Sequence, residues 1–202
     1  MPSSPPCIEQ YDAQVGNLEI VDGGVDGKAG RFNESTRVGI WGMGPHSGGV
    51  IMSYSLYFKT ERIERNMVLL HMGSIFAHRH ESKEHIMTLT LDHGIPTLYI
   101  SSSTRLAATN IQGLADGEWH QIAISMPRKS AKLSELVMII DGENVSAKVH
   151  GDDDYLFFST NGRVSIGGYG QTGRVYDSNK FRFLSPYYGL IDEVFIWSKP
   201  LI

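Results

Sequence analysis

Apolar and polar residues alternate along most of this chain in short runs, and turn-forming residues separate the runs. In VIMSYSLYFKT (50–60), Met52, Tyr54, Leu56 and Phe58 share one face of a strand, because side chains of extended backbone point alternately to opposite sides. MVLLHM (67–72), HIMTLTL (85–91), TLYISS (97–102), YLFFS (155–159), RVSIGGY (163–169) and GLIDEVFIW (189–197) repeat the pattern. WHQIAISM (119–126) sets His120, Ile122, Ile124 and Met126 against Trp119, Gln121, Ala123 and Ser125. ELVMIIDGENVSAKV (135–149) reads as a hairpin about the Asp141-Gly142 pair. No segment keeps a 3.6-residue period for three turns, and ERIERN and TRLAATNI offer a helical turn or two at most. About ten short strands with Gly-rich turns predict an all-β protein, a two-sheet antiparallel sandwich or jelly roll.

A chain of 202 residues can bury one sizeable core without dividing. Its net charge of −4 gives no electrostatic reason to expect nucleic acid or an anionic membrane as partner. No apolar run approaches the roughly 20 residues of a membrane span, so direct membrane insertion is not expected. Cys7 is the only cysteine, which excludes a disulfide within the chain. Residues 1–17, Pro/Ser-rich at the start, are expected to be a linker or leader, and 18–202 a single domain. The start in that stretch and the stop after SKPLI suggest one domain of a larger protein. Two sequons, Asn33-Glu34-Ser35 and Asn144-Val145-Ser146, make Asn33 and Asn144 candidate glycosylation sites and favour an extracellular or cell-surface location.

Several stretches, in order, resemble a laminin-G-like domain of the concanavalin A-like lectin/glucanase superfamily. DGGVDGKAGRFNESTRVGI (22–40) is similar to the family's opening, and SYSLYFKT to its Ser-Phe-x-Trp-Phe-Lys strand. GEWHQIAIS resembles its Asp-Gly-x-Trp-His hallmark, VMIIDGENV its Val-Asp-Gly hairpin, and VSIGG with YYGLIDEVFIWSKPL its closing strands. The resemblance covers residues from about 20 to 202 and implies two curved antiparallel sheets packed face to face. On that reading Trp119 closes one end of the sandwich and gives its indole N–H to a loop carbonyl, while His120 as a ligand contact is the alternative. Asp192 is expected to tie a strand end to backbone amides, Glu193 to be solvated, and Tyr187 and Tyr188 to be packing residues.

An enzyme is not expected. The glucanases of the superfamily need two carboxylates on one strand face, and alternation sends Asp192 and Glu193 to opposite faces. No Gly-x-Ser-x-Gly elbow or phosphate loop is present. His78, His80 and His85 could share a zinc, although no third ligand is fixed by spacing and a solvated polar loop is the commoner explanation. Calcium is the cofactor that the resemblance suggests. His85 stands where the laminin-G pattern has an acidic ligand, and Ser159 to Asn161 where it has a second. In the pentraxin-like pattern an acidic loop follows the Gly-Gly strand, and here that loop, 168–186, offers Asp177 and Asn179 as metal ligands beside Gln171. The same loop carries Tyr169 and Tyr176, so Tyr169, Gln171, Tyr176, Asp177 and Asn179 form the expected ligand-binding set. Sugar recognition needs such flat aromatic faces and planar polar groups. The expected function is a non-catalytic recognition or adhesion module for glycan or glycoprotein ligands, in a calcium-dependent form if the loop holds the metal. The alternatives are a protein-interaction or spacer domain contacting neighbouring domains, including those of an intracellular scaffold, and an accessory domain of an enzyme whose catalytic part lies elsewhere.

Overall fold

A computed structural model describes residues 13–40, 53–73, 86–101, 103–128, 131–153, 155–156, 163–168 and 183–202. Two antiparallel sheets face each other in a jelly roll. One has eight strands in the order β1-β4-β16-β6-β7-β8-β9-β14: β1 (Ala13–Gly16), β4 (Arg37–Ile40), β16 (Arg163–Ile166), β6 (Met67–Gly73), β7 (Ile86–Asp92), β8 (Ile95–Tyr99), β9 (Arg105–Ala108) and β14 (Ala147–His150). The other has seven in the order β13-β12-β10-β5-β17-β3-β2: β13 (Glu143–Val145), β12 (Val137–Ile140), β10 (His120–Ser125), β5 (Ser53–Lys59), β17 (Gly189–Trp197), β3 (Gly27–Phe32) and β2 (Glu19–Gly24). A short pair, β11 (Ala131–Lys132) with β15 (Tyr155–Leu156), stands apart.

Turn chemistry sets the registers. Asp141 and Gly142 both take positive φ, 51° and 84°, and join Ile140 to its partner Glu143 in the expected two-residue hairpin. His93 and Gly94, at 53° and 81°, do the same between Asp92 and Ile95. TRLAATNI differs from expectation: it forms β9, whose Leu106 and Ala108 are buried at alternate positions, so core burial overrides its weak helical pattern. β1 lies inside the stretch 1–17 and pairs with β4 through Val15↔Val38.

The core lies between the sheets. Tyr54, Leu56 and Phe58 of β5 meet Ile122 and Ile124 of β10, Met138 and Ile140 of β12, and Leu70, Leu89, Leu98 and Leu106 of the opposite sheet. Fully burying one such side chain contributes about 1.5–3 kcal/mol, so this layer dominates stability. Gly167, after β16, has φ +74° and its absent Cβ makes room for the Phe32 ring. Phe32 packs edge-on against the buried Tyr187, centroids 6.5 Å apart.

Candidate functional site

The Trp119-His120 pair has an architectural explanation. Trp119 is half-buried and donates its indole N–H to Gly23 O at 3.2 Å, closing the end of the sandwich between β10 and the β2–β3 turn. His120 is only 13% exposed, its ring lying 5.9 Å from Phe58 and bonded at both nitrogens: Nδ1 to Asp141 Oδ2 at 2.8 Å and Nε2 to Asp116 Oδ1 at 3.1 Å. Burial pulls the His120 pKa down, and its hydrogen bonds to Asp141 and Asp116 outweigh that, so the net shift is upward. Two carboxylate partners call for an imidazolium that donates at both nitrogens, which leaves neither ring nitrogen free to act as a base. Asp141 Oδ1 also accepts Gln121 N–H at 2.7 Å, so the turn aspartate clamps the β12–β13 hairpin to the start of β10.

Asp192 ties backbone amides, as expected: its carboxylate accepts the N–H groups of Val25 and Glu193, both at 2.9 Å. Glu193 has φ 46° and marks a bulge between Asp192 and Phe195. The bulge decides the far half of β17. Before it, Ile191 faces the core opposite Phe58; after it, Val194 and Ile196 pack on the core. Phe195 and Trp197 therefore turn outward, opposite Ser55 and Ser53, and stack with centroids 5.6 Å and ring planes 19° apart. Phe195 is 45% exposed. Tyr57, flanked in register by Asp192 and Gln121, shares that outer face. A stacked aromatic pair on a sheet face, one ring exposed and one half-buried, with a phenol and a planar amide beside it, suits the apolar side of a ligand that also carries hydroxyls. No motif marks these residues. The two-residue spacing of Phe195 and Trp197 says only that they share a face.

The eight-stranded sheet presents a different outer face. Ser165, His71, Thr88, Tyr99, Arg105 and His150 stand opposite one another in register across six adjacent strands. His71 Nδ1 lies 2.7 Å from Thr88 Oγ1, and the Arg105 guanidinium sits 6.0 Å from the Tyr99 ring centroid. Burial lowers the His71 pKa to about 4, so it stays neutral at physiological pH. Thr88 and Tyr99 are themselves buried, and Phe183 packs on Tyr99 at 5.1 Å. Along this outer row Ser165, Thr88 and Tyr99 are buried, and His71, Arg105 and His150 are half-buried.

A third feature is a cleft of about 520 Å³ lined by Asn33, Glu34, Ser35, Arg62 and Tyr188. The β3–β4 turn supplies the first three. The β5–β6 connection supplies Arg62, and Tyr188 precedes β17, held by Thr60 Oγ1, which donates to its carbonyl at 2.6 Å. Asn33 and Asn144 are both exposed. Tyr169, Gln171, Tyr176, Asp177 and Asn179 lie outside the described residues, as do His78, His80, His85 and Ser159 to Asn161. Among the described residues no three His, Cys, Asp or Glu side chains converge on a metal position, and no helix is long and apolar enough to cross a membrane.

The sequence profile of the Laminin G domain matches residues 58–198. Domain 4 of AbnA, a GH43 extracellular arabinanase from Geobacillus stearothermophilus solved in complex with arabinotriose, is similar with a TM-score of 0.66 at 18% identity. That match covers 94% of this chain and 84% of that one. The CBM40 of Ruminococcus gnavus IT-sialidase, solved bound to α2,6 sialyllactose, superposes with a TM-score of 0.51 at 15% identity, covering 76% of this chain and 79% of that one. Mouse laminin α1 domains LG4-5 give 0.50 at 15% identity, covering 76% of this chain, which spans only 37% of that structure. No curated protein sequence matches.

Proposed function

The chain belongs to the laminin G domain family, and from that premise we propose that it is a non-catalytic module, displayed outside the cell, that binds glycan chains. The observation that carries this reading is the stacked Phe195–Trp197 pair, with Phe195 exposed and Trp197 half-buried, on the outer face of the seven-stranded sheet beside Tyr57 and Gln121. Aromatic rings there offer flat apolar area at low entropic cost, and the neighbouring polar groups can meet hydroxyls. The arabinotriose and sialyllactose complexes of similar domains support saccharide as the ligand class. A non-catalytic role fits the engaged ring nitrogens of His120 and the structural use of Asp192.

The test is a glycan array followed by calorimetric titration of the hits. Phe195→Ala/Trp197→Ala should weaken binding at least tenfold, the scale of losing aromatic contacts at the centre of an interface. Its melting temperature should stay close to that of the parent. Equal binding by parent and variant would sink the role of the pair.

A second reading, a protein-interaction domain, is favoured by Leu201 and Ile202. These aliphatic side chains are exposed next to the same face, where Leu201 N–H donates to Ser125 Oγ at 3.0 Å. The calcium-dependent form of the glycan reading rests on Asp177 and Asn179. A glycan attached at Asn144 is part of the same extracellular proposal, whereas Asn33, a candidate by its sequon, lines the cleft and is left unmodified in it.

A further inference from the structure

We propose that the Asn33–Arg62–Tyr188 cleft is a subsite for a neutral sugar unit, holding one end of a linear glycan whose body lies on Phe195 and Trp197. This inference rests on the glycan-binding reading above. The polar groups of the cleft are pre-set. Asn33 Oδ1 accepts three donors, Ser35 N–H at 2.9 Å, Ser35 Oγ at 2.8 Å and Thr36 Oγ1 at 3.0 Å, which pins the amide and leaves its NH₂ for a ligand. Ser35 Oγ, having given its own proton to Asn33, keeps acceptor capacity. Glu34 is exposed, and its carboxylate oxygens are unengaged among the described residues. Arg62 is 65% exposed; its guanidinium stacks 5.3 Å from the Tyr188 ring centroid, and Nη1 lies 3.6 Å from Glu64 Oε1. The stack and the ion pair hold the planar fork while its other N–H groups have no partner among the described residues.

Adjacent sugar hydroxyls each offer one donor and one acceptor. A carboxylate beside a guanidinium and an amide complements such a pair, with charge-assisted bonds on both sides. Charge disfavours acidic sugars: among the described side chains Glu34 and Glu64 flank Arg62, so an added carboxylate or sulfate would meet more negative than positive charge there. The volume suits a small ligand. Tyr188 stands at the start of β17, and Phe195 lies roughly 20 Å further along the strand, so only a chain of several sugar units reaches both.

The experiment uses protein made in bacteria, where the sequon at Asn33 carries no N-glycan. Neutral linear oligosaccharides of increasing length, chosen from array hits, are titrated into wild type, Arg62→Ala, Glu34→Gln and Phe195→Ala. Affinity should rise with chain length in the wild type. Arg62→Ala and Glu34→Gln should each weaken the longest chains about tenfold and flatten the length dependence. Both residues are exposed, so unchanged melting temperatures separate a lost contact from a lost fold. A preference for sialylated or sulfated glycans overturns the inference. Cleft variants that bind like wild type while Phe195→Ala does not would overturn the cleft and leave the aromatic face standing. Absence of any glycan binding overturns both.

Discussion

His120 is held between two half-exposed carboxylates, and that placement couples it to pH. Its pKa in the folded protein is raised above the unfolded value of about 6.5, so its stabilising contribution is complete below that value. The contribution disappears as pH rises through the higher folded value. On the acid side, a backbone bond from Glu118 and then the His120 ring hold Asp116 below its usual 3.8, so its share is lost only as pH falls beneath that. The melting-temperature advantage of wild type over His120→Gln should therefore be larger at pH 6 than at pH 9. His71, neutral above about pH 4, is common to both proteins and cancels. An advantage that does not change with pH would show that the imidazole is not charged in the fold. Tyr54 makes the opposite case at the same scale. Its hydroxyl is fully buried with no hydrogen-bond partner among the described residues, and burial raises its pKa. Removing an unsatisfied buried hydroxyl recovers its desolvation cost, so Tyr54→Phe should be as stable as wild type or more so, by up to about 1 kcal/mol in urea unfolding. A loss larger than that would reveal a partner for the hydroxyl.

β17 is the element on which the outer aromatic face depends. Uninterrupted alternation from Ile191 would carry Phe195 and Trp197 into the core; the extra residue at the bulge sends Val194 and Ile196 there instead. Glu193 adopts the left-handed region to make that bulge, a conformation that costs a non-glycine residue about 1 kcal/mol or more. Glu193→Gly should leave stability unchanged or raise it by up to about 1 kcal/mol. Glu193→Val, β-branched and ill-suited to positive φ, should lower stability by at least that amount, both read from urea midpoints. If valine is tolerated without cost, the bulge is not held in this conformation. The amide-binding carboxylate of Asp192, one residue earlier, belongs to the same device, because it fixes the backbone on the approach to the bulge.

At the scale of the whole molecule, calcium offers a test that needs no ligand identified beforehand. If the 168–186 loop binds it, a site filled at about a hundred times its Kd adds ~2.7 kcal/mol, and the melting midpoint should rise by roughly 5 °C in millimolar calcium over EDTA. Asp177→Ala should abolish the rise, and equal midpoints would remove the calcium-dependent form of the proposal. The sequence by itself determined the all-β class, the laminin G kinship, the Asp141-Gly142 hairpin, and the inward faces of β5 and β10. Alternation and turn chemistry are local, so a single strand and its turns already encode them. The indole of Trp119 and the carboxylate of Asp192 went to backbone partners, as their places at strand and turn ends implied. What only the tertiary structure decided was set by distance along the chain. The cleft joins a turn near Asn33 to Arg62 and Tyr188, the polar row aligns residues from six strands, and the outward turn of Phe195 and Trp197 follows from one bulge. Cross-strand register and a one-residue insertion reverse which face a side chain occupies, and no local pattern records either, because both are fixed by pairing with strands far away in sequence.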